Sequence, residues 1–232
     1  MRQRGVDRRA ITRHLPRSTQ APTRRCSGPF APIDLVALFC SNPLGSYRAF
    51  GIKKTSYRSS VERLIKRVLA GDRLPKVNAL VDLYNLVSIE SGLCFGCDDL
   101  DAVDGDLVFR SARPDDTFLD MGAGEGDDPL DPPKAGEAVY ADARPVLCRR
   151  WNWRQDARSL LTPQTHRAVL TMQSNGFGDV EAAARRVAEG IARECGGISR
   201  IVVARPPGAG PRNLSQRPLA DSGLKMAARG SR

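Results

Sequence analysis

The chain has 232 residues, 41% of them hydrophobic, which suffices for one medium domain with tails or two small ones. No uninterrupted apolar run approaches the ~20 residues of a membrane-spanning helix, so no membrane partner is expected. The formal charge of +10 sits at the ends: residues 1–25 carry eight arginines against Asp7, residues 200–232 seven basic residues against Asp221, and 26–199 is net −3. The middle of the chain therefore makes no demand of its own for a polyanion.

In chain order, residues 1–46 read as a basic, mostly disordered segment, because the first thirty mix Arg, Pro, Ser and Thr without period. An arginine-rich start without the apolar stretch of a secretory signal implies a cytoplasmic protein, with an organelle transit peptide as the alternative. Ile33–Cys40 is a short apolar run whose periodicity does not choose between helix and strand. Organisation is expected over 47–204. After Ser59 or Ser60 as N-cap, Val61, Leu64, Ile65, Val68 and Leu69 form one stripe of an amphipathic helix that Gly71 ends. A second helix spans about Asn78–Glu90, stops at Gly92, and is apolar nearly all round, hence buried. Asp82 and Asn85, three apart, share a side of it; they either brace a loop or contact a ligand.

From Asp106 the pattern turns to short segments bounded by Gly, Pro and Asp, expected as strands at Leu107–Ala112, Thr117–Met121, Ala138–Ala141, Pro145–Trp153 and Arg167–Gln173. Gly122–Gly136 reads as a surface loop. Asp98, Asp99, Asp101, Asp104 and Asp106 lack the ordered loop and terminal Glu of a calcium site and read as a solvated turn. Asp179 caps a last helix closed by Gly196 and Gly197, Ile201–Ala204 is a final strand, and 205–232 is a basic, disordered tail.

Cys94 and Cys97 form a CxxC without a second ligand pair, so no metal and no cofactor is expected and the thiols read as reduced, with a redox or metal role as the alternative. His14 and His166 have no local partner for a catalytic arrangement, and no catalytic residue is assigned. The densest functional-looking cluster is Arg149, Arg150, Trp151, Asn152, Trp153 and Arg154. In a strand, Arg149, Trp151 and Trp153 would share one face and Arg150, Asn152 and Arg154 the other. Guanidinium forks bind phosphate or carboxylate, and an aromatic face stacks on a base or acyl group; core packing with paired arginines is the competing reading.

NALVDLYNLVSIESG (78–92) resembles the VD-x-x-N helix of the B3/B4 domain of the bacterial phenylalanyl-tRNA synthetase beta chain, which binds tRNA and hydrolyses mischarged tyrosyl-tRNA. Asp99–Leu100–Asp101, Gly105–Arg110, Gly136–Asp142 and Thr162–Thr165 fall in that family's order. SYRSSVERL (56–64) and RRWNWR (149–154) look like its freestanding members. The resemblance covers about 47–197 and implies an α/β (α+β) fold, a layered β-β-α sandwich of the synthetase editing-domain type, with a pocket between two halves. By this likeness the synthetase's editing histidine falls at about Gly96 and its glutamate near Arg158, so neither hydrolytic residue carries over.

The function expected is an RNA-linked module that binds tRNA or the aminoacyl end of aminoacyl-tRNA. Its catalytic version is a trans-acting aminoacyl-tRNA deacylase; the alternative is a non-catalytic module for an amino-acid-like small molecule. Nothing in the chain could activate an amino acid with ATP, which excludes a complete aminoacyl-tRNA ligase. Arg149, Arg150 and Arg154 are expected to hold phosphate or carboxylate, and Trp151 or Trp153 to line the pocket beside Asn152. Asn78, Asp82 and Asn85 are expected to shape its floor.

Overall fold

The computed structural model describes residues 33–39, 57–123, 130–143, 146–174, 178–204 and 212–213. The readings of the first thirty residues and of the chain beyond residue 213 lie outside them.

Among the described residues, three helices form where caps and apolar stripes agree. Helix α1 (Ser60–Leu69) starts at Ser59, whose hydroxyl accepts the Glu62 N–H. Helix α2 (Ala79–Ser91) starts at Asn78, whose side chain accepts the Val81 N–H, and ends at Gly92 with φ 74°. That left-handed position suits glycine alone without strain. Helix α3 (Val180–Glu194) is capped by Asp179 and buries Val180, Ala183, Ala184, Val187 and Ile191.

Strands β1 (Ile33–Phe39), β2 (Cys94–Asp99), β7 (Ala168–Ser174), β8 (Ser199–Ala204) and β9 (Arg212–Asn213) make a five-stranded sheet in the order β2-β7-β1-β8-β9. It is mixed: β1 runs parallel to β7 and β8, while β2 and β9 are antiparallel to their neighbours. Strands β3 (Val108–Ser111), β4 (Ala138–Ala141), β5 (Val146–Arg149) and β6 (Arg154–Gln155) make a four-stranded antiparallel sheet.

Four readings change. Of the run Ile33–Cys40, Ile33–Phe39 is a strand that lies between β7 and β8, inside the stretch read as mostly disordered. Arg212–Asn213, read as tail, pairs with β8. Thr117–Met121 is not a strand but makes isolated bridges, among them Leu119 to Leu130 and Asp120 to Asp156. The run Pro145–Trp153 is not one strand either. β5 stops at Arg149, and residues 150–153 turn the chain into β6.

The largest core packs α2 and α3 on one face of the five-stranded sheet, through Leu80, Val87, Ala184 and Val187 against Phe95, Cys97, Leu170 and Met172. A second core, Ala112, Phe118, Val139, Ala141 and Val146, includes residues of β4 and β5 in the four-stranded sheet.

Candidate functional site

The cross-strand register sorts the side chains of each sheet. Directly opposed residues share a face, and successive residues alternate. In the pair β2–β7, Phe95 faces Met172 and Cys97 faces Leu170, all four in the helix-side core. The intervening pairs, Cys94 with Gln173, Gly96 with Thr171, and Asp98 with Val169, therefore lie on the opposite face. In the four-stranded sheet, Val139, Arg149 and Arg154 are in register, and Val139 belongs to the second core. Tyr140, Cys148 and Gln155, also in register, share the other face.

The two remaining faces meet. Gln155 Nε2 donates to Asp98 Oδ1 at 2.9 Å and to the Cys97 carbonyl at 2.6 Å. Asn152 Nδ2 donates to Gln173 Oε1 at 3.0 Å. Ser159 Oγ donates to Asp98 Oδ1 at 2.7 Å. Among the described residues, the layer between the sheets thus holds the buried polar groups of Asp98, Asn152, Ser159, Thr171 and Gln173, beside Val169 and, by register with Tyr140, Phe109. Sheets that pack only for stability interdigitate apolar side chains. Here the apolar clusters sit against the other faces, and the facing surfaces carry carboxyl, amide, hydroxyl and thiol groups.

Burial pushes the Asp98 carboxyl up to about 6, against the lowering effect of its Ser159 and Gln155 bonds, and Asp156 and Asp142 raise it further. Burial likewise raises the phenol of Tyr140 and the thiols of Cys94, Cys97 and Cys148. Cys94 and Cys97, three apart on one strand, point to opposite faces, so their CxxC does not converge on a metal. Both are free thiols.

The turn 150–153 breaks the alternation expected of a strand. Arg150 and Trp151 have φ of 46° and 73°, a left-handed conformation that costs a bulky residue energy. It seals Trp151 (1% exposed) in the interior, edge-on to Phe109, and sends Asn152 toward Gln173. The Asn152 carbonyl accepts the Ser60 N–H, fastening the turn to the start of α1.

The arginines separate by role. Arg149 is fully buried, bidentate to Glu137 at 2.9 and 3.0 Å, and paired with Asp131. Arg154 holds Asp120. Arg150 lies between the rings of Tyr57 and Trp153, 3.8 and 4.5 Å from their centroids. Its contact with Glu137 is 3.5 Å, and its buried Nη1 has no hydrogen-bond partner. Burial lowers its pKa.

The α2 residues do not join this layer. Asn78 caps its own helix, and Asp82 accepts the Val77 N–H and pairs with Lys76, bracing the loop before α2. Asn85 is half-buried one turn on. The helix packs on the far face of the five-stranded sheet from Asn152, so the expected meeting of Asp82 and Asn85 with the arginine–tryptophan segment does not occur. Asp98, read as part of a solvated turn, is 3% exposed and central. Gln155, Ser159, Thr171 and Gln173 carried no sequence signal as site residues. Gly96, where the likeness puts the synthetase's histidine, does lie on the inter-sheet face, with a Cβ there 3.3 Å from Thr171 Oγ1.

The B3/4 domain model matches residues 45–192, and the chain belongs to that family, a module of the tRNA-binding and editing type. No curated protein matches the chain. Among the described residues, no helix is long and apolar enough to cross a membrane.

Proposed function

We propose that the polar layer between the two sheets receives the aminoacyl end of an aminoacyl-tRNA, in a freestanding, cytoplasmic module. The observation that carries this reading is the cluster of buried, hydrogen-bonded polar groups where the sheets meet, with the two main apolar clusters on the other faces. Arg150 supports the polyanion side of the reading. Its guanidinium is oriented by two rings, its Nη1 is unpartnered, and it stands two residues from Asn152. Arg149, Arg154 and the α2 residues are given structural roles. The folded unit is taken to begin at β1 and to include β9, which pairs with β8.

Deacylation assayed over a panel of misacylated tRNAs tests the catalytic version. Turnover abolished by Asn152→Ala is the expected result; no turnover above buffer with any pairing removes the enzyme and leaves a binding module.

The second reading, a non-catalytic module for an amino-acid-like molecule, is favoured by the net −3 of residues 26–199, which gives little long-range attraction for tRNA. Full-length protein whose arginines in residues 1–25 are replaced by serine separates the two. Retained tRNA affinity favours the folded site; lost affinity, with an amino-acid ligand still bound, favours the small-molecule module.

A further inference from the structure

We infer that Asp98 is the acceptor for the ammonium group of an amino-acid-like ligand lodged between the sheets. This rests on the reading of the inter-sheet layer as the ligand site and adds the chemical group recognised there.

Most other buried carboxylates of the described residues are compensated by a cation. Asp116, Glu137 and Asp156, with side chains 4%, 8% and 0% exposed, are each held by an arginine, respectively Arg110, Arg149 and Arg158, while Asp142, 3% exposed, accepts the Asp104 N–H. A buried carboxylate without such a partner is costly, because desolvation disfavours its charge. Asp98 is as buried as these, yet its bonds come from neutral donors, the Ser159 hydroxyl and the Gln155 amide. Both fall on Oδ1. The charged groups that act on it, Asp156 and Asp142, are anions, and the groups it acts on in turn are the Tyr84 and Tyr140 phenols and the Cys97 and Cys148 thiols. None of these supplies a positive charge.

The site therefore has a fixed, oriented acceptor and no resident cation among the described residues. A primary ammonium provides the missing charge together with N–H donors, and charge-assisted bonds of this type are about twice as strong as neutral ones. A guanidinium fork would need both carboxylate oxygens, and Oδ1 already carries two bonds. An amide or a hydroxyl would leave the charge uncompensated.

The test uses full-length protein and a set of L-amino-acid methyl esters with their des-amino counterparts, with binding followed by calorimetry. Asp98→Asn keeps an oxygen for Ser159 and Gln155 and removes the charge. The expected result is a loss of about tenfold or more in affinity for the best amino ester, matching a charge-assisted bond, with affinity for the des-amino ester unchanged. Equal affinity of wild type and Asp98→Asn for the amino ester overturns the inference while leaving the site reading intact, since Asn152→Ala would still abolish binding. No binding of any ester by wild-type protein overturns both.

Discussion

Gln155 Nε2 lies 2.9 Å from Asp98 Oδ1 and 2.6 Å from the carbonyl of Cys97, so one amide on β6 ties the four-stranded sheet to the edge strand of the other. The bond fixes the direction of a carboxylate that the fold otherwise penalises. Position is gained at the expense of stability, as expected where a buried polar group serves a ligand.

That cost is measurable through pH. Asp98 titrates at about 6 in the fold against 3.8 in an unfolded chain. The native state therefore holds the proton more tightly, and its contribution is fully present below 3.8 and lost as pH rises through about 6. The loss is about 3 kcal/mol. Asp98→Asn has no such titration. Urea denaturation is expected to show the variant gaining on wild type by about this amount between pH ~4 and ~7.5. A difference independent of pH would contradict the burial of an ionisable carboxyl here.

Arg149 and Arg150 are adjacent but should respond oppositely. Arg149→Ala leaves Glu137 buried without its bidentate partner, which costs about 3–5 kcal/mol of stability. Arg150→Gln removes a guanidinium with an unpartnered nitrogen between two rings, at about 1 kcal/mol. If Arg150 meets a phosphate, the variant's tRNA affinity falls and its salt dependence loses a slope of about one. Thermal unfolding and filter binding on both variants check the contrast.

Helix packing offers a control far from the site. A Cβ at Gly190 on α3 would sit 2.6 Å from both Leu83 methyls on α2. Gly190→Val is expected to force the helices apart, costing about 1–3 kcal/mol, without changing the relative affinities for amino and des-amino esters. Calorimetric unfolding and the same binding series decide it.

The family match starts at residue 45, but β1 lies at 33–39 between β7 and β8. A protein beginning at residue 45 leaves those two strands without the neighbour that both pair with. It is expected to lose cooperative unfolding, whereas one beginning at residue 31 retains it; circular dichroism melts of the two compare directly.

The helices were legible because caps and apolar periodicity coincide: Ser59 with the Val61–Leu69 stripe, Asn78 with Gly92, Asp179 with the alanine-rich face. β2 was not, because Cys94–Asp99 is six residues long, its Gly96 interrupts the pattern, and its terminal aspartates resemble a turn. β5 was overrun into RRWNWR because period-two reasoning has no signal for left-handed Arg150 and Trp151, a conformation rare in such residues. Of the arginine–tryptophan segment, Asn152 bonds Gln173, while residue type alone did not show that Arg149 would be tied to Glu137. Asp82 and Asn85 were placed in the pocket from their shared helix face, but only the packing shows which side of the sheet that helix occupies.

The most direct measurement is a titration of isotopically labelled protein with L-amino-acid methyl esters, following side-chain amide resonances. Shifts confined to Asn152, Gln155 and Gln173 are the predicted result, because these amides line the seam between the sheets. Shifts centred on Asn78 and Asn85, with those three amides unmoved, would contradict a ligand site at that seam.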